Sequence, residues 1–265
     1  MSFRTEHICY TYPKAKEPII RDISFEAPDA CLTAIIGANG VGKSTLIKSM
    51  LGIFKAQGEV WLNGKNRREM NHQELHRLVG YMTQENALLT SLSVLNVVLL
   101  GRLGTLNLKV QDEDIEKAMQ TLRLLHLDEL AERPFYALSG GQRRMVDVAQ
   151  TLVRDPKILI MDEPTANLDL VNELQVLELV KAYTKQKNTA TLLTLHDLNM
   201  AARYADRLVL LKDGCVYREG TPAEVITEEN IREAYGVEVH VHTSSRTGTP
   251  MLLPLTAVRK TEYVF

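Results

Sequence analysis

The chain has 265 residues, with 31 Lys and Arg against 33 Asp and Glu and a formal net charge of −2. The near balance argues against a dedicated nucleic-acid protein, which needs a basic excess, while the length suffices for one large domain with a sizeable buried interior. Cys9, Cys31 and Cys215 form no Cys-x-x-Cys, so neither a zinc site nor a disulfide framework is expected; the opening Met1-Ser2-Phe3-Arg4-Thr5-Glu6-His7 lacks the apolar core of a signal peptide, and no apolar run approaches the roughly 20 residues that span a bilayer.

Residues 8–12, 23–27 and 59–62 alternate apolar with polar, the last before an Asn63-Gly64 turn. They predict a small, mostly antiparallel sheet with one wet face. Continuous apolar runs at 32–36, 78–82, 158–161, 191–195 and 208–211 predict a parallel sheet covered on both faces. Between 85 and 155 the apolar spacing turns helical, over 92–102, 113–125 and 142–153. A helical subdomain of about 86–155 is therefore expected, inserted in an α/β core of 1–85 and 156–236 that makes a single domain. The alternation of 237–242, a Ser/Thr/Gly turn and then Met251-Leu252-Leu253 predict a C-terminal hairpin extension over 237–265. His240 and His242 fall on one solvent-facing side of it and read as surface residues rather than as a metal pair.

The chemistry concentrates in a few short stretches. Gly37-Ala38-Asn39-Gly40-Val41-Gly42-Lys43-Ser44 fits G-x-x-x-x-G-K-[ST], between the strand run 32–36 and a helix opening with Thr45. Glycines let backbone N–H groups crowd a polyphosphate, Lys43 can reach its outer phosphates, and the Ser44 hydroxyl can ligate Mg²⁺. Asp162 ends the apolar strand 158–161, where a carboxylate can hold Mg²⁺ directly or through water. Glu163, one residue on, can accept a proton from an attacking water, and Pro164 forbids continuation of the ladder. Gln84 and His196 follow two further strands, so their polar groups reach the same sheet edge; the Gln84 amide can touch metal or water without adding charge. Leu138-Ser139-Gly140-Gly141-Gln142 places an N-cap serine and two permissive glycines at the start of a helix, a second anion-binding site. Spacing alone does not say which phosphate it meets.

Together these motifs resemble an ATP-binding cassette (ABC) transporter ATPase subunit, from about Ser2 to Gly236, in family order. The resemblance implies a P-loop NTPase (RecA-like) α/β fold, with a mostly parallel sheet, an N-terminal antiparallel β subdomain and the inserted helical subdomain. It implies ATP and Mg²⁺ as cofactors, the metal being held by Ser44, Gln84 and Asp162. It also implies a head-to-tail dimer in which Ser139, Gly140, Gly141 and Gln142 of one copy close on the nucleotide of another. Asp169, in Ala166-Asn167-Leu168-Asp169, would couple the two sites, His196 would hold γ-phosphate, and Glu163 would be the general base. Tyr12, before Pro13, matches the aromatic that stacks on adenine, with Tyr10 as the alternative. One departure is Asp29-Ala30-Cys31, where such proteins often carry a Gly turn.

Val97-Val98-Leu99-Leu100-Gly101-Arg102 is similar to a run in the ATPases of bacterial ferric-siderophore, haem and cobalamin importers. That finer resemblance implies ferric-siderophore uptake, with haem or cobalamin as alternatives. It further implies two permease subunits docking near Gln84 to Arg102, an extracytoplasmic binding protein acting indirectly, and a peripheral place on the cytoplasmic face of the inner membrane. Two rivals stand beside it: a non-transport ABC ATPase of translation or DNA repair, and an exporter ATPase with a separate permease. Translation types carry two cassettes and repair types insert long coiled coils; this chain has one cassette and no room for the coils.

Overall fold

The computed structural model describes residues 3–84, 90–102 and 110–258. The alternating N-terminal segments form their own antiparallel layer. β1 (Phe3–Tyr10) pairs with β2 (Ile20–Ala27), β3 (Leu32–Gly37) departs into a second sheet, and after α1 (Lys43–Met50) the strands β4 (Gln57–Leu62) and β5 (Lys65–Asn66) return to give the order β2-β1-β4-β5. Phe3, Ile8, Ile23, Phe25, Val60 and Leu62 turn inward. Inward positions on β1 change from odd to even numbers at an irregularity between Thr5 and Ile8, where His7 has φ 53, as a bulge requires. The turn into β3 puts Ala30 at φ 50, so an alanine takes the left-handed backbone usually left to glycine, at a cost of about 1–2 kcal/mol.

A helix the apolar pattern does not reveal comes next: α2 (His72–Leu78), closed by a capping box between Asn71 and Glu74. It takes Leu78, so the following strand, β6 (Val79–Met82), starts one residue later than the run 78–82 suggests. α3 (Val94–Leu100), α4 (Asp112–Leu124) and α5 (Gly140–Leu152) pack together through Val97, Val98, Ala118, Leu122, Met145 and Val148. The helical periodicity over 92–153 thus corresponds to three α-helices, α3 shorter than the run 92–102 and α4 and α5 starting one and two residues before the runs 113–125 and 142–153. Residues 85–89 and 103–109 lie outside the described residues.

The chain then alternates: β7 (Ile158–Asp162), α6 (Leu170–Gln186), β8 (Ala190–Thr194), α7 (Leu198–Tyr204), β9 (Arg207–Lys212) and β10 (Cys215–Gly220). The second sheet has the order β10-β9-β3-β8-β7-β6, and every pair in it is parallel except β9 with β10. That antiparallel edge strand is an addition to the expected parallel sheet. The continuous apolar runs are explained by cover on both faces. Ala34, Ile36, Leu159, Met161 and Leu193 face the helical side, and Ile35, Ile158, Ile160 and Leu192 face α1 and the antiparallel layer. With β3 central and its neighbours parallel, the ends of β6, β7 and β8 open on the edge where the phosphate loop leaves β3.

α8 (Pro222–Val225) and α9 (Glu228–Tyr235) lead to a two-stranded hairpin, β11 (Val237–Thr243) and β12 (Pro250–Ala257), in register His240 opposite Leu253. Both histidines are exposed, and His240 Nδ1 lies 3.1 Å from a Glu228 carboxylate oxygen. Residues 259–265 of the expected extension lie outside the described residues. The hairpin is clamped to α7 by one side chain: Asn199 Oδ1 accepts from Leu252 N–H at 2.8 Å and Asn199 Nδ2 donates to Leu252 C=O at 3.2 Å. Asn199→Ala leaves both Leu252 groups unpartnered, and we expect a loss of about 1–3 kcal/mol of hairpin docking. Limited proteolysis at 244–249 reads this out as faster cleavage; an unchanged rate would show that the clamp contributes little.

Candidate functional site

The loop between β3 and α1 is shaped by backbone that only glycine tolerates. Gly37 has φ 152 and a Cβ there would stand 2.7 Å from the Leu211 carbonyl; Gly42 has φ 107 and a Cβ would stand 2.7 Å from Ile20 Cδ1. The chain therefore folds tightly round an open concavity, and α1 begins at Lys43 with its free N–H groups toward it. Lys43 is buried and bends back, its Nζ donating to the carbonyls of Gly37 at 2.7 Å and Ala38 at 3.3 Å. Burial pulls its pKa below the usual lysine range, and the nearby carboxylates of Glu163 and Asp162 oppose that shift.

Those carboxylates stand at the end of β7. Asp162 is fully buried, its Oδ1 accepting from the Thr194 hydroxyl at 2.6 Å, while its Oδ2 is buried with no hydrogen-bond partner among the described residues. Glu163 takes a left-handed backbone (φ 51), and its N–H donates to Thr194 Oγ1 at 2.8 Å. Its carboxylate is held from two sides. Oε2 accepts from Gln84 Nε2 at 2.8 Å, and Oε1 lies 2.5 Å from His196 Nε2.

A cleft of about 490 Å³ joins these groups, lined by Tyr12, Ile19, Asn39, Gly40, Gly42, Lys43, Ser44, Thr45, Gln84, Glu163 and His196. Asp162 lies beneath it. Ala38 and Val41 border instead a neighbouring depression with Lys212 and Gly214. Tyr12 is partly exposed and bonds Thr45 Oγ1 through its hydroxyl at 2.8 Å. Tyr10 is packed flat against Phe54, with centroids 4.9 Å apart and planes 8° apart, and does not line the cleft. Of the two tyrosines, Tyr12 is the one that lines the cleft.

The remaining candidates stand apart from this cleft. Ser139 caps α5 reciprocally with Gln142, at 3.2 and 3.1 Å, and a Cβ on Gly140 would meet nothing within 4 Å. A Cβ on Gly141 would meet, among the described residues, Leu168 Cδ2 at 3.6 Å. Asp169 is exposed and caps α6, accepting from Asn172 N–H at 2.8 Å. One chain thus presents a loop cleft and, separately, a bare helix start.

Two residues of this region carry no mark in the sequence pattern. Thr194 braces Asp162 and Glu163 together, and its only signal is a hydroxyl in the last position of an apolar strand. Arg144 lies buried under the ends of β6 and β7; its signal is a charge four residues before Val148 on the buried stripe of α5.

Residues 20–166 match the ABC transporter family. An ABC transporter ATP-binding protein of Methanocaldococcus jannaschii is 39% identical over 89% of this chain and 92% of its own. The ferric enterobactin transport ATP-binding protein of Escherichia coli is 35% identical over 91% of this chain and 90% of its own. Among solved structures, a metal-chelate type ABC transporter in an inward-facing conformation superposes with a TM-score of 0.82 at 27% identity, over 96% of this chain and 97% of that one. The match extends well beyond the phosphate loop into both layers of the fold, and the chain belongs to the ABC transporter family, among its ATP-binding subunits.

Proposed function

We propose that this chain is the ATP-hydrolysing subunit of an importer for iron chelates of the ferric-siderophore class. The observation that carries the hydrolytic part is the position of Glu163: buried, at the floor of the cleft, with its carboxylate between Gln84 and His196. ATP would place its base near Tyr12 and its phosphates against the N–H groups of Gly40 to Thr45, with Lys43 exchanging the Gly37 and Ala38 carbonyls for phosphate oxygens. The residues present suit Mg²⁺: Asp162 Oδ2 is an orphaned buried oxygen, and Ser44 and Gln84 line the cleft together with Glu163, which follows Asp162 in the chain. The ion, when bound, would neutralise charge on the β- and γ-phosphates. His196 would leave the Glu163 carboxylate to hold γ-phosphate, and the freed side of that carboxylate would take the proton of the attacking water.

A second copy completes the site in this reading. The helix start at Ser139, Gly140 and Gly141 is open to an anion but absent from its own chain's cleft, which suits a head-to-tail pair with Asp169 at the junction. No described helix is long and apolar enough to cross a membrane. We place the chain on the cytoplasmic face, held by two permease subunits. A depression lined by Tyr81, Leu100, Gly101, Gln150 and Arg154 supports docking close to the stretch from Gln84 to Arg102, of which residues 85–89 lie outside the described residues. An extracytoplasmic binding protein would deliver the cargo. Relatives named for ferric enterobactin and for hemin import match at 35% and 34% identity, which supports an iron-bearing cargo, and we favour the siderophore.

Glu163→Gln should leave ATP affinity within about threefold and lower turnover by roughly 10²–10⁴, the range of a general base. Turnover at the wild-type rate would remove Glu163 from that role. In proteoliposomes with the permease pair that co-purifies with the chain, and the matching binding protein, ferric siderophore should raise ATP turnover while haem and cobalamin do not. Stimulation by haem or cobalamin alone would correct the substrate, and stimulation by none of the three would count against import.

A further inference from the structure

Arg144 is 7% exposed and spends its whole guanidinium on backbone carbonyls. Nε donates to Pro164 C=O at 3.3 Å; Nη1 donates to Thr83 and Gln84 C=O at 2.9 and 3.0 Å; Nη2 donates to Asp162 and Glu163 C=O at 2.9 and 2.5 Å. One planar fork therefore ties the exit of β6 to the turn after β7. A burial of this kind is costly unless every donor is met, and here the carbonyls on both sides meet it.

The two tied segments carry Gln84 and Glu163, whose side chains bond each other at 2.8 Å. Glu163 sits in a left-handed backbone that a non-glycine residue holds only when its surroundings over-determine it. Its N–H is fixed by Thr194 and its C=O by Arg144. Arg144 belongs to the second turn of α5, the helix whose first turn presents Ser139, Gly140 and Gly141. The position of that helix start and the backbone conformation of Glu163 are thus joined by a single side chain.

We propose that Arg144 is a positioning residue for hydrolysis, setting Glu163 and Gln84 in register with the start of α5. This rests on the reading of Glu163 as the base. The fork is what matters rather than the charge: a lysine offers donors from one point and cannot span carbonyls from Thr83 to Pro164. Arg144→Lys keeps the charge, and Arg144→Met keeps the packing stem should the lysine variant fail to fold.

Either variant should keep the Kd for ATP and the KM within about twofold while kcat falls on the order of 10- to 100-fold, the scale of a misplaced catalytic group. A merely structural residue would lower the melting temperature and leave kcat per folded molecule unchanged, and that result overturns the proposal. Placing Arg144→Lys in the Glu163→Gln background separates the two readings. The lysine substitution should cost nothing further there, because its effect passes through Glu163. A full second loss would show that Arg144 acts elsewhere, while wild-type turnover of Glu163→Gln alone would reject the base and the positioning that rests on it.

Discussion

Two adjacent carboxylates are buried where β7 ends, and the surrounding structure answers that constraint. An unpaired buried carboxylate costs several kcal/mol, and two side by side repel as well. Thr194 shares one hydroxyl between Asp162 and the Glu163 backbone, Gln84 and His196 take the two oxygens of Glu163, and Lys43 lies close enough for both carboxylates to support its charge. These groups come from the ends of β6, β7 and β8 and from the loop after β3. A parallel sheet with β3 beside β8 and β7 beside β6 brings them to one edge without long connections.

The same constraint explains what the cleft lacks. Its floor is acidic and its one lysine is turned onto the loop's own carbonyls. Binding a polyphosphate there asks for further positive potential opposite the loop. The bare start of α5 is a source of it, yet in a single chain it does not reach the cleft. A second copy supplying that helix start fits the electrostatics, and within each copy the Arg144 fork ties that copy's own α5 start to the turn that carries its own Glu163.

Much of this was legible because it is local. The phosphate loop declares itself through glycines at positions where a Cβ would collide, and the polar residues after apolar strands follow from the strands alone. α2 was not legible because its apolar face is only Leu75 and Leu78, both partly buried, too short a stripe to mark a helix. β10 lies at an edge with its side chains largely solvated and shows no continuous apolar run. Thr194 acts across 31 residues of sequence and Arg144 across 18 to 61, both on backbone atoms, which no residue pattern encodes. Sequence favours Tyr12 over Tyr10 through its place before Pro13, but the stacking of Phe54 on the face of Tyr10 is a long-range contact no local pattern shows.

The claim that the site is shared between two copies has a direct test in mixed subunits. Lys43→Ala removes the loop's cation and Ser139→Arg blocks the helix start, so each variant alone should be nearly inactive. Mixed in equal amounts, half of randomly formed pairs are mixed and hold one composite site with both elements intact, and ATP turnover should rise well above that of either variant. Turnover no higher than the separate variants would contradict a shared site and return hydrolysis to the cleft of a single chain.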